Sequence, residues 1–270
     1  MNRYRHVALL LCAIGVAACG DKMTRDISTP LTGGPVVKFF NFSVGAPSVN
    51  FYAGTTKITG MSGSGCAPPN DTTAVCRSTG TETTLGTAYG SPGNAGNYNL
   101  LTAGTVTLSG KIISAASDNG TAIASTSATL ADGSYYSYYL SGIYNGTTKA
   151  TDAFIVTDDL PAPDLTKAYV RFVNAISNSS PMTLYALLQG TTTETGLGSA
   201  TQAYKAAGPF TALAPGVYDV NARNAGSSTN VISRTGVSFV AGHVYTIAAR
   251  GDFSSSVTAN KPALDNTANR

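Results

Sequence analysis

Histidine and glutamate are so scarce in this chain that its composition weighs against most hydrolytic chemistry. Among 270 residues there are two histidines, and the glutamates are Glu82 and Glu194. Catalytic and structural metal sites need several ligands, and outside the N-terminal segment His243 stands alone. The same counts weigh against a Ser–His–Asp hydrolase and against a paired-glutamate glycosidase. No G-x-S-x-G, H-E-x-x-H or P-loop pattern occurs. Asp152, Asp158, Asp159 and Asp164 form an acidic group that could attract calcium. Their spacing fits no calcium-loop template, and the simpler reading is acids in solvated turns, with no metal site. Tyr135, Tyr136, Tyr138 and Tyr139 surround Ser137. In a strand, Tyr136 and Tyr138 share one face, and Tyr135, Ser137 and Tyr139 the other. One face packs in a core. The pair Tyr136 and Tyr138 is the candidate binding surface for sugar or protein, since tyrosine is amphipathic, the alternative being that these rings cover a sandwich edge. Lys38 and Arg171, and likewise Asn41 and Asn174, recur at matching positions of a repeat. The expected arrangement is charge facing outward and asparagine bonding locally to the next loop. No residue is assigned a catalytic role, no cofactor is expected, and the chain reads as a non-enzyme.

Charge adds little. The formal net charge is +3, and charged residues make up only 11% of the chain against about 25% in an average soluble protein. Nucleic-acid binding is not indicated. Two of the cations, Arg3 and Arg5, precede the apolar run Val7–Val16, which is half the length of a bilayer span. This is the layout of a secretory signal. The following Val16-Ala17-Ala18-Cys19 resembles the lipobox of bacterial lipoproteins. That resemblance implies a signal peptide over residues 1–18, lipid on Cys19 and attachment to a membrane through it. Each buried methylene of such a chain contributes about 0.8 kcal/mol. Gly20 rather than Asp follows Cys19, so a cell-envelope location at the outer membrane is expected. Without residues 1–18 the balance is 15 basic against 14 acidic. Of the four cysteines, Cys66 and Cys76 then remain. Outside the cytoplasm they are expected to form a disulfide across a Pro/Asn-rich loop, half of a zinc site being the alternative.

The elements are short strands divided by turns. Residues 19–35 read as a flexible tether and 254–270 as a loose tail. Asp118-Asn119-Gly120 between two β-rich runs predicts a hairpin, and one short helical turn is conceivable over Ala200–Ala207. The strongest signal is an internal repeat. Val37-Lys38-Phe39-Phe40-Asn41 matches Val170-Arg171-Phe172-Val173-Asn174, and Phe51-Tyr52-Ala53 matches Leu184-Tyr185-Ala186. Leu101–Val106 matches Leu213–Val217, and Leu130–Tyr136 matches Val240–Tyr245. The expected organisation is repeat 1 over 36–157, a Pro-stiffened linker over 158–166 and repeat 2 over 167–253. The extra length of repeat 1, between Gly54 and Leu100, is an insertion.

These segments resemble the domain-of-unknown-function family 4397, found in bacterial secreted proteins and lipoproteins, often in tandem. Arg171–Asn174 and Ala241–Thr246 carry the resemblance best, while Phe40 and the long insertion depart from it. It implies two extracytoplasmic β-sandwiches, immunoglobulin-like or transthyretin-like, and supplies no activity and no catalytic residues. The combined expectation is an all-β, lipid-anchored envelope protein that binds or acts as a spacer, with an envelope protein or glycan as partner. A carbohydrate-binding adhesin is the runner-up.

Overall fold

A strand with one face in a core and one in water alternates apolar with polar residues, whereas a strand covered on both faces does not. The segments VVKFFN and AYVRFVN break that alternation in the same way, and their burial follows suit: the first is buried throughout and the second at all but one position. The computed structural model describes residues 33–59, 75–76, 86–113 and 116–270. Cys19 and Cys66 lie outside the described residues, as do the expected signal peptide and most of the expected tether. Cys76 is described only in its backbone.

The first repeat contains β1 (Val36–Asn41), β2 (Val49–Ala53), β3 (Thr56–Lys57), β4 (Val75–Cys76), β5 (Ser91–Pro92), β6 (Tyr98–Leu100), β7 (Gly104–Ile112), β8 (Ala122–Leu130), β9 (Tyr135–Asn145) and β10 (Ala150–Thr157). The second contains β11 (Ala168–Asn174), β12 (Met182–Leu188), β13 (Glu194–Gln202), β14 (Thr211–Leu213), β15 (Gly216–Asn224), β16 (Asn230–Phe239), β17 (Val244–Arg250) and β18 (Ala263–Ala268). Each repeat is a two-sheet sandwich of one topology. Its inner sheet runs β10-β9-β1-β6 in the first and β18-β17-β11-β14 in the second. The outer sheet runs β3-β2-β7-β8 and β13-β12-β15-β16 respectively. β4 and β5 add to the first inner sheet only. β1 lies parallel to β9, and β11 parallel to β17, with matching register. The Asp118–Gly120 turn joins β7 to β8 as an antiparallel hairpin, with Asp118 and Gly120 both at positive φ.

Three apolar clusters follow from this layering. One fills the first sandwich around Phe39, Phe51, Leu108 and Tyr138. Another fills the second around Phe172, Leu184, Val220 and Ile247. The third lies between the two inner sheets and takes Phe40, Phe42, Tyr139 and Phe154 from the first repeat with Val173, Ala175 and Ala248 from the second. The repeats therefore stack as four layers, outer–inner–inner–outer, rather than as two bodies joined by a hinge.

Two local expectations are corrected. Residues 254–270 are not a loose tail. Ala263–Ala268 pairs along β17 in the place that β10 takes along β9, with Leu264 and Asn269 buried. The second sandwich thus extends to the C-terminus, since its inner sheet lacks an edge strand without this segment. Nor is there a helical turn over Ala200–Ala207: the residues up to Gln202 belong to β13, and a turn with Lys205 at positive φ follows. Among the described residues no helix is long and apolar enough to cross a membrane.

Candidate functional site: the seam between the repeats

Alternation along β1 sends Val37 and Phe39 into the first core and turns Lys38 and Phe40 to the opposite face. β11 does the same with Val170 and Phe172 against Arg171 and Val173. The opposite face is not solvent but the other repeat. Lys38 and Arg171 are each only 2% exposed, which corrects the expectation that both charges face outward. A buried cation is tolerated only when paired and hydrogen-bonded, and here the seam supplies the partners.

Asp158, at the first position after β10, provides the counter-charge. It forms an ion pair with Arg171. It also accepts hydrogen bonds from Tyr98 Oη (2.7 Å) and Ser137 Oγ (2.8 Å). Asn269 Nδ2 donates to Tyr98 Oη at 2.9 Å, while Thr246 Oγ1 donates to Asn269 Oδ1 at 2.8 Å and Arg171 Nε donates to Thr246 Oγ1 at 3.0 Å. Asp158 is thus the centre of a buried network and not an acid in a solvated turn.

The network is reciprocal. Lys38 Nζ donates to the carbonyl of Ala268, at the end of the second repeat's last strand. Arg171 Nη1 donates to the carbonyl of Thr157, at the end of the first repeat's last strand, at 2.9 Å. Lys38 lies over the Tyr98 ring (4.5 Å) and Arg171 over the Phe210 ring (4.7 Å), and these two aromatics hold matching positions beside β1 and β11. Asp158 and Asn269 correspond in the same way, their amides bonding to the carbonyls of Tyr135 and Val244. Tyr204 Oη sits 2.8 Å from Ser141 Oγ, and Tyr89, its counterpart, lies against Arg250, which pairs with Asp265. The apolar half breaks the symmetry: Phe40, Phe42 and Tyr139 of the first repeat correspond to Val173, Ala175 and Ala248 of the second. Bulk on one side meets small residues on the other, and all seven of these side chains are buried.

Burial works on the titrating groups as expected. Desolvation pushes the Lys38 ammonium down to about 8, against the pull of Asp158 and with help from Arg171. Tyr98 is pushed well above its ordinary range by burial and then by the Asp158 charge. The sign of the Lys38 effect on stability is fixed. Its folded pKa lies below the unfolded value of 10.5, so the unfolded chain binds more protons between the two, and stability rises with pH across that window. The rise is expected from about pH 8 toward pH 10, where ionising tyrosines of the unfolded chain begin to oppose it. It amounts to about 3 kcal/mol at most, at 1.36 kcal/mol per unit. Lys38→Met is expected to flatten this rise in urea titrations between pH 7 and 9.5. An unchanged slope would refute the assignment.

Of the remaining candidates, Asp152 reaches the exposed edge of the seam, where it accepts from Tyr204 Oη at 3.1 Å, and the others lie elsewhere. Tyr136 and Tyr138 are 9% and 0% exposed and belong to the first core. Tyr136 Oη accepts from the Ala131 amide (3.0 Å), and Tyr138 Oη donates to the Leu108 carbonyl (3.2 Å). They are not a binding surface, because their strand is covered on both faces: the opposite side, with Tyr139, is the seam. Asp152 pairs with Lys205 at 3.0 Å, and Asp164 accepts the amide and hydroxyl of Thr166 at 2.9 and 2.6 Å. With Asp158 in the seam, the acidic group is dispersed. Among the described residues no three His, Cys, Asp or Glu side chains come together as a metal site. His243 is exposed at a turn, its Nδ1 3.1 Å from the Arg270 carbonyl. Asn41 and Asn174 are wholly buried and brace loops, Asn41 onto the Thr87 carbonyl (3.0 Å) and Asn174 onto the Gln202 carbonyl (3.1 Å). An open groove of about 420 Å³ lies at the β9–β10 hairpin, lined by Gly142, Ile143, Asn145, Asp152 and Ser177 among others. Among the described residues that line it, Asp152 is the one carboxylate.

The family model described as a domain of unknown function (DUF4397) matches the chain twice, over residues 35–185 and 168–269. The chain belongs to this family. The second DUF4397 match begins with β11 and includes β18, while the first runs through β1–β10 and on into β12. Comparison with curated proteins gave no match. The DUF4397 pair is thus two copies of one sandwich joined through equivalent faces, and in the seam Lys38 and Asp158 meet Arg171 in a dry setting. Its chemistry is that of a fastening. The carboxylate is held by a guanidinium, and both cations are spent on protein carbonyls and rings.

Proposed function

We propose that this protein is a non-catalytic, lipid-anchored component of the cell envelope, whose two sandwiches act as one stiff spacer that holds its outer surfaces away from the membrane. The seam is the observation that carries the reading. Its inner sheets are buried on both faces, and an ion pair with its hydrogen bonds ties the copies together. Interfaces between domains of one chain ordinarily allow relative motion unless they are large and apolar. A block of four sheets, each spaced about 10 Å from the next, has no such freedom. Cys19 would then carry the lipid that anchors it.

Both halves of the proposal are testable. Cells expressing the protein and fed an alkyne fatty acid are expected to yield a labelled, membrane-associated product, and Cys19→Ala to abolish the label. Label on the Cys19→Ala protein, or an unlabelled soluble wild type, would refute the anchor. Spin labels at exposed positions of β8 and β16 are expected to give one narrow distance distribution by double electron–electron resonance. A broad or bimodal distribution would refute the stiff spacer.

A further inference from the structure

The two halves of the seam fill corresponding places with different chemistry. In one half Arg171 and Asp158 form an ion pair. In the other, Lys38 stands where Arg171 does and Asn269 where Asp158 does. An amide gives a buried cation no counter-charge, so Lys38 and Arg171 share Asp158. A primary amine beside a carboxamide can also do what a guanidinium beside a carboxylate cannot, which is to condense with it.

The groups for that reaction border one another. Lys38 Nζ donates to the carbonyl of Ala268, the residue before Asn269, and lies 4.5 Å from the centre of the Tyr98 ring. Asn269 Nδ2 lies 2.9 Å from Oη of the same tyrosine and 3.4 Å from Asp158 Oδ2. Thr246 Oγ1 donates to Asn269 Oδ1 at 2.8 Å and accepts from Arg171 Nε at 3.0 Å. Lys38, Asp158, Arg171, Thr246 and Asn269 are all buried. Desolvation brings Lys38 down to about 8, so part of it is free amine near neutral pH.

We infer that Lys38 displaces ammonia from the side chain of Asn269, leaving an isopeptide bond that ties β1 to the residue after β18. The neutral amine leaves the Ala268 carbonyl and attacks Cγ of Asn269, forming the new C–N bond. Negative charge develops on Oδ1, where the Thr246 hydroxyl already donates and Arg171 backs the hydroxyl. Asp158 Oδ2 takes the proton that Nζ loses and passes it to Nδ2, whose bond to Cγ breaks. Amine and carboxamide go in, and secondary amide and ammonia come out, with no other reactant. A desolvated lysine is an activated nucleophile, and fixed neighbours replace the cost of bringing the groups together. The event happens once per molecule and is not turnover. It closes both sandwiches into one covalent ring and does not depend on the spacer or anchor reading. The rise of stability with pH described above belongs to the protein before this bond forms.

The test uses full-length protein in detergent micelles, incubated folded at mildly alkaline pH, digested with trypsin and read by tandem mass spectrometry. One peptide is expected to join the segment holding Lys38 to that holding Asn269, uncut at Lys38 and lighter than the two together by one ammonia. Lys38→Arg and Asn269→Ala are expected to lack it, and their denatured chains to migrate more slowly than the ringed wild type. Asp158→Asn is expected to slow the linkage by about a hundredfold, the low end for a general acid–base group. Asp158→Asn/Arg171→Met should be at least as slow, and thermal melts check that each variant is folded. The inference is overturned if folded wild type yields only the separate peptides. It is equally overturned if Asn269 loses ammonia without joining Lys38, which would be cyclisation onto its own backbone. Linkage at the wild-type rate in folded Asp158→Asn would overturn the role given to Asp158.

Discussion

Asp158→Asn should cost the folded protein about 3–5 kcal/mol, the range for removing one partner of a buried ion pair. The carboxylate is fully buried and faces Arg171, with Lys38 nearby and Tyr98 and Ser137 donating to it. A carboxamide keeps the shape but leaves the guanidinium in a dry seam without its counter-charge. Two donors would also compete for one neutral oxygen. Removing both charges is expected to hurt less: Asp158→Asn/Arg171→Met should be more stable than Asp158→Asn alone, because the uncompensated cation is gone. Urea denaturation of the two variants decides the matter. A double variant no better than the single one would mean that the hydrogen bonds, not the charges, hold the seam. The same data bear on cooperativity. Wild type is expected to unfold in one transition, since each inner sheet is covered on one side by the other repeat. A variant that separates into two transitions would show the seam as the link between two cores.

The sequence carries the plan of this molecule more openly than it carries the seam. The repeat, the all-β class and the Asp118–Gly120 hairpin follow from local patterns: turn residues at fixed places and β-rich runs between them. Lys38 and Arg171 resist the same treatment. A single charge in an apolar strand is ordinarily a residue facing water, because charged side chains are rarely buried. What overturns that reading is their partner, an aspartate lying in an acid-rich linker, where acids are ordinarily solvated. The fact that VVKFFN and AYVRFVN lack alternation was the available hint, since a strand covered on both faces has no polar side. Tyr136 and Tyr138 were misplaced for the same reason: β9 neighbours β1 in a sheet with no exposed face. The last strand escaped because Ala263-Leu264-Asp265-Asn266-Thr267-Ala268 has little β-branched or aromatic character. Its place is set by pairing with β17 rather than by its own preference. The repeat itself could have found it, since Asp158 and Asn269 lie 111 residues apart, close to the spacing of the preceding strand pair.

Tyr139→Ala is expected to be the most damaging apolar substitution in the seam, by about 3–5 kcal/mol, the range for removing a large buried side chain and leaving a cavity. Its ring lies stacked between Phe40 and Phe154, with centroids at 4.7 and 5.0 Å and planes within 12° and 17°. Each such pair adds about 0.5–1.5 kcal/mol beyond the area buried. Tyr139→Phe separates the ring from the hydroxyl. That hydroxyl is buried near Ser137 and Arg171 but makes no hydrogen bond of ordinary distance and angle, so the effect of its loss should be small. The second repeat offers a sharper comparison, because Ala248 holds the position equivalent to Tyr139 in the facing sheet. Ala248→Tyr alone adds a ring to a filled space and should cost about 1–3 kcal/mol. Combined with Tyr139→Ala, it places bulk on the other side of the same gap. If the seam is a pairing of equivalent surfaces that divide one volume unequally, the double variant should be more stable than the sum of the two single losses predicts. Thermal melts of the four proteins measure that coupling. Strict additivity would mean that the two positions do not share a volume, and that the correspondence between the inner sheets is one of topology alone.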